Sequence, residues 1–189
     1  MGDPQTNGKP LTEDSRLRLL EHFSGDGAPP NDRWAALWDA GDFLPWDQGT
    51  PNPALVDILQ DRRDLVGESA LVEDGKGGLR RKRAFVPGCG RGYDVLLLAS
   101  FGYDAYGLEV SKTAVDMAQA WAEEHTADYP MQDKAVGRGT AKFILGDFFS
   151  NDWIQQADGL NKFEFIYDYT VSVLSFVRLV FDVGSESPL

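Results

Sequence analysis

A single cysteine, Cys89, stands in 189 residues. No intrachain disulfide can form, and a reducing compartment, the cytoplasm, is the simplest setting. Basic residues are scarce: 18 Lys and Arg against 30 Asp and Glu leave a net charge of −12. So acidic a chain is a poor partner for nucleic acid or an anionic membrane. Long apolar runs are missing. The stretch from Val171 to Val183 falls short of transmembrane length and contains Arg178 and Asp182. Met1 to Pro10 is polar and lacks the apolar centre of a secretory signal. There are two histidines, His22 and His125, both outside any motif and read as surface residues. No internal repeat or low-complexity block is present.

What is there suits one globular domain. Hydrophobic residues make up 42% and charged residues 25%, enough for a core at this length. Residues 1–10 read as a disordered tail, 11–170 as the domain and 171–189 as an atypical tail. Helices are expected over Thr12 to Phe23, over a short segment capped by Asp32 that carries Trp34, Leu37 and Trp38, and over Ala54 to Leu65. Gly41 to Pro53 and Glu73 to Gly78 read as irregular. Arg80-Arg81-Lys82-Arg83 is either a localisation signal or a solvated loop end, the second being favoured. From Ala84 the pattern alternates. Strands are expected at 84–86, 105–109, 142–145 and 163–167, with helices at 93–101 and 111–124. Such alternation specifies an α/β fold with a parallel sheet and helices on both faces.

The most informative stretch is Val86-Pro87-Gly88-Cys89-Gly90-Arg91-Gly92-Tyr93-Asp94. A strand runs into a glycine turn that opens a helix, a geometry that lets backbone approach a nucleotide cofactor. The spacing is G-x-G-x-G, not the dinucleotide G-x-G-x-x-G, and no G-K-[ST] follows, which excludes a P-loop. Alone, the turn is also compatible with no ligand. Glu109 ends the second strand, where a carboxylate can accept from two ribose hydroxyls; Ser111 beyond it stands in cap position, so a plain helix-start acid is the other reading. Asp147-Phe148 ends the third strand and suits an adenine amino group and base, or a turn Asp with core phenylalanines. Trp34 and Trp38 share a helix face, as a core stripe or a ligand face. Trp46 sits in a loop, where a large ring needs a reason to be ordered. Cys89 reads as a small packed residue rather than a nucleophile.

Together, Val86 to Asp94, Gly107-Leu108-Glu109-Val110-Ser111, Gly146-Asp147-Phe148-Phe149 and Tyr167-Asp168-Tyr169 resemble the class I S-adenosylmethionine-dependent methyltransferases. With Trp34-x-x-x-Trp38 and Pro45-Trp46-Asp47-Gln48-Gly49-Thr50-Pro51, they resemble the thiopurine and thiol (halide) methyltransferase branch. The resemblance covers Trp34 to Thr170. It implies a Rossmann-like sheet under an N-terminal helical lid, and S-adenosylmethionine as cofactor. It further implies cofactor contacts at Trp34, Trp38, Trp46, Gly88, Glu109, Asp147, Phe148 and Tyr169, and a small thiol or halide as acceptor. No metal is implied, and no particular catalytic residue; Tyr169 and Asp47 are candidates to touch the acceptor. Indole faces attract a sulfonium cation, by about 0.5–2 kcal/mol each.

After Thr170 the resemblance stops. The family sheet has about seven strands; about four are expected here, leaving a bare edge open to a partner. Val171-Ser172 can be encoded by GTG-AGT, an intron donor signal, so a gene-model or splice truncation with weakened catalysis is an expectation. A spliced message that still encodes residues 171–189 would refute it. The alternatives are a non-catalytic S-adenosylmethionine-binding or regulatory fragment, and a nicotinamide-dependent oxidoreductase. The glycine spacing and Asp147-Phe148 argue against the latter.

Overall fold

The computed structural model describes residues 11–24, 27–160 and 162–169. The tails expected at 1–10 and 171–189 lie outside the described residues. Two helices open the chain, α1 (Glu13–Ser24) and α2 (Pro30–Ala40), followed by α3 (Pro53–Asp61) and the single-turn α4 (Arg63–Val66). A hairpin of β1 (Leu71–Glu73) and β2 (Leu79–Arg81) precedes β3 (Arg83–Pro87). Next come α5 (Tyr93–Ser100), β4 (Asp104–Glu109), α6 (Lys112–His125), β5 (Ala141–Leu145) and β6 (Phe165–Ile166).

The sheet is parallel, in the order β5-β4-β3-β6. The chain enters in the interior at β3, steps outward through β4 and β5, then returns to the other side of β3. That reversal creates a switch point beside β3, the place where open α/β sheets bind ligands. β3 reads Arg-Ala-Phe-Val-Pro, and its last four residues are buried. An unbroken apolar strand of this kind is buried on both faces. Ala84 and Val86 face a core built with Leu55, Leu59, Val95 and Leu98. Phe85 faces the opposite core, with Tyr106, Leu108, Ile144 and Trp153. Trp153 belongs to the 3-10 helical turn Asp152–Gln155, which covers that face. Leu55, Val95 and Leu98 are wholly buried, each stabilising the fold by about 1.5–3 kcal/mol relative to exposure.

Side-chain caps set the starts of α3 and α6. Ser111 accepts from Ala114 N at 3.2 Å and starts α6, as its position in the sequence indicates. Asn52 does the same for α3 through Ala54 N at 3.0 Å. Asp32 is not the cap expected for α2: that helix starts two residues earlier, at Pro30, whose fixed φ suits a first helical position. The helix expected over Ala54 to Leu65 breaks at Arg62, which leaves helical geometry at φ −114° and ψ 56°.

The basic run is not a solvated loop end. Arg80 and Arg81 lie in β2, and Glu73, expected in a loop, lies in β1. Arg81 donates to the carbonyls of Gly102, Val136 and Gly137 at 3.1, 2.8 and 3.0 Å. Lys82 donates to Val66 O at 2.9 Å. Arg80 forks onto Glu164, which also accepts from Arg83 N. The run therefore ties the hairpin to the amino end of the sheet. β6 is shorter than the expected 163–167, although Glu164 N and Tyr167 N still donate to β3 at Arg83 O and Phe85 O. Among the described residues no helix is long and apolar enough to cross a membrane.

Candidate functional site

The glycine turn follows β3, and all three of its glycines take positive φ: Gly88 at 61°, Gly90 at 52° and Gly92 at 77°. Residues with a Cβ seldom adopt that region. Space is also limited at two of them, severely at Gly92. A Cβ on Gly92 would lie 2.3 Å from Phe143 Cε1, so α5 could not start so close to β5. A Cβ on Gly90 would lie 3.3 Å from Trp38 Cζ2. Trp38, on α2, therefore rests directly on the turn.

Glu109 closes the turn from β4. It is 6% exposed. Its Oε2 accepts from Gly90 N at 3.1 Å, and its Oε1 from Val110 N and Ser111 N at 2.8 and 3.2 Å. Burial pushes its carboxyl above the ordinary range, while the three N–H donors pull the other way. Three donors fix the orientation of the carboxylate and leave acceptor capacity on Oε2. Asp147 follows β5. Its Oδ1 accepts from Phe149 N at 2.9 Å, and its Oδ2 from Asn31 Nδ2 at 2.8 Å. Asn31 lies in α2, so the same helix that covers the glycine turn also holds Asp147.

The three tryptophans form one cluster. Trp46 meets Trp34 edge-on at 5.2 Å and Trp38 at 6.0 Å. Trp34 also packs on Phe23 of α1 at 4.6 Å. Trp38 is buried; Trp34 and Trp46 are half-buried. Of the expected site residues, the structure thus joins Trp34, Trp38, Trp46, Glu109 and Asp147 to the turn that Gly88 opens. Phe148 instead stacks on Phe85 at 6.2 Å and packs against the second core cluster. Tyr169 is 62% exposed and is not drawn into the cluster. Cys89 packs against the first core cluster, and burial pushes its thiol well up, which suits a packed residue.

Sequence reasoning missed the fastenings around the turn. Asp47 is 2.7 Å from Arg91 Nε and accepts from Tyr93 Oη at 2.9 Å. Asp94 accepts from Asn52 N at 2.7 Å, and burial raises its carboxyl from 3.8 to about 6. Arg91, Tyr93 and Asp94 all stand inside the glycine motif. Their reach to residues 47–52 had no local signal, because the partners are more than 40 residues away in sequence. A groove of about 340 Å³ behind this segment, lined by Leu97, Trp121 and Tyr129 among others, includes none of the strand-tip residues.

The family described as thiopurine S-methyltransferase (TPMT) matches residues 30–174. A probable thiol methyltransferase 2 of Arabidopsis thaliana is 33% identical over 154 residues, covering 81% of this chain and 51% of that protein. A thiocyanate methyltransferase 1 of Brassica oleracea is 31% identical over 139 residues, covering 73% and 47%. The chain thus spans about half the length of these curated relatives. One solved structure comes from work on the conversion of a disulfide bond into a thioacetal group during echinomycin biosynthesis. It superposes with a TM-score of 0.50 at 23% identity, over 75% of this chain and 47% of that one, a likeness of fold.

Proposed function

The chain belongs to the thiopurine S-methyltransferase family, and from that premise we propose that it binds S-adenosylmethionine at the carboxyl ends of β3, β4 and β5, beneath α2. We propose further that it serves methyl transfer to a small thiol or halide. The observation that carries this reading is the convergence on Gly90: its N–H donates to Glu109, and Trp38 stands over the side where a Cβ would project. The residues present fit the cofactor. The turn allows close backbone approach, two carboxylates suit its hydroxyls and amino group, and an indole cluster suits its cation.

Bound S-adenosylmethionine supplies an electrophilic methyl on a sulfonium. Glu109, already oriented by three backbone donors, accepts from ribose hydroxyls. Asp147, held by Asn31, accepts from the adenine amino group. Trp34, Trp38 and Trp46 attract the cation and keep water from the reacting atoms. The remaining task is to align the acceptor behind the methyl. A thiol with an ordinary pKa of ~8.5 is partly thiolate at neutral pH, and a halide carries no proton to remove, so no strong general base is required. Phe148 and Tyr169 receive no role in this reading, because neither joins the cluster. The test is product formation by the purified chain with S-adenosylmethionine and either a small thiol or iodide. A methylated product, lost on Glu109→Ala, supports the reading; no product with either acceptor refutes the catalytic half.

A further inference from the structure

Trp46 stands in a segment, residues 41–52, without helix or strand. No backbone ladder holds its ring beside Trp34 and Trp38. One hydrogen bond and one ion pair with the glycine turn do so, and they come from the next residue. Asp47 has a side chain only 13% exposed. Its Oδ2 is 2.7 Å from Arg91 Nε. Its Oδ1 accepts from Tyr93 Oη at 2.9 Å and from Gly49 N at 3.1 Å. Asp47 N donates to Leu44 O at 3.0 Å, closing a turn that contains Trp46. Both long-range partners, Arg91 and Tyr93, flank Gly92 in the glycine turn. The Arg91 contact is an ion pair without hydrogen-bond geometry; the Tyr93 hydroxyl, donating to a carboxylate, makes the charge-assisted bond, the stronger class of polar contact.

We infer that Asp47 is a positioning residue for the cofactor site: it fastens the Trp46 segment to the glycine turn, and it acts on the cofactor through Trp46. The inference rests on the S-adenosylmethionine reading above. Arg91 and Tyr93 thereby serve the lid as well as the turn. Any ligand that orders the turn also orders the lid, because the two share these bonds.

The test is a double-variant cycle on the full chain, reading S-adenosylmethionine affinity by calorimetry. Trp46→Ala and Asp47→Ala should each raise Kd by about tenfold, the scale of a charge-assisted bond or a buried indole contact. The double variant should bind within about twofold of Trp46→Ala, since Asp47 has nothing left to position. A merely structural contribution would instead multiply, to about a hundredfold, and would overturn the inference. So would an Asp47→Ala affinity within twofold of the wild type. Tyr93→Phe removes a single hydroxyl and keeps the ring; about a threefold loss is expected, absent in the Trp46→Ala background. If Asp47→Ala fails to fold by circular dichroism, that second cycle decides by the same criteria. A wild-type chain that binds no S-adenosylmethionine refutes the proposed function itself, a result distinct from either failure of the cycle.

Discussion

Asp94 offers a sharp test of how the lid segment is held. Its carboxyl is half-buried at the start of α5, accepts from Asn52 N at 2.7 Å and is raised from 3.8 to about 6. Burial is the main cause, and the Asn52 bond opposes it. The raised value means that the native state holds a proton the unfolded chain has already released. The stabilisation from neutral Asp94 is fully present below pH ~3.8 and is lost as pH rises through about 6. Moving a carboxyl by this much amounts to ~3 kcal/mol between its two protonation states. Asp94→Asn keeps an oxygen acceptor for Asn52 and can never ionise. Urea unfolding of both proteins from pH 4 to 7.5 isolates the effect, because other carboxylates cancel in the difference. The variant should match the wild type near pH 4 and exceed it by ~3 kcal/mol at pH 7.5. With an ordinary m-value that is a midpoint shift of roughly 1–2 M urea. A difference that stays flat within about 0.5 kcal/mol across this range would refute a carboxyl whose desolvation the Asn52 bond only partly offsets.

Gly92→Ala should destabilise by roughly 3 kcal/mol, since it meets both a positive φ and the Phe143 ring at 2.3 Å; thermal unfolding checks this, and a change below ~1 kcal/mol would contradict it. Arg81→Ala leaves three carbonyl bonds unmade and should cost about 2–3 kcal/mol, with little recovery in Arg81→Lys, whose ammonium lacks the guanidinium fork. By contrast, Lys112→Ala breaks only an exposed i,i+4 pair to Asp116 and should shift stability by less than ~0.5 kcal/mol.

The strands and helices around the site were legible because their signals are local. The apolar run at 84–87, the Ser111 cap and the glycine turn each state their geometry within a few residues, and β3, α6 and α5 follow them closely. Glu109 was legible for the same reason, as an acid at a strand end. The basic run misled, because an arginine that satisfies carbonyls up to 56 residues away looks, in sequence, like any surface charge. Asn31 was invisible, since its bond to Asp147 spans 116 residues. Phe148 had two readings, base contact and core residue, and its stacking on Phe85 matches the core reading. The family resemblance was carried by residues 34–170, nearly the span that the family match covers.

Calorimetric titration of the purified chain with S-adenosylmethionine, beside Glu109→Ala and a control titration with NAD, tests the proposed site most directly. Saturable one-to-one binding of S-adenosylmethionine, weakened at least about tenfold in Glu109→Ala and absent for NAD, is the expected result. No binding of S-adenosylmethionine by the wild type, or equal binding by Glu109→Ala, would contradict it.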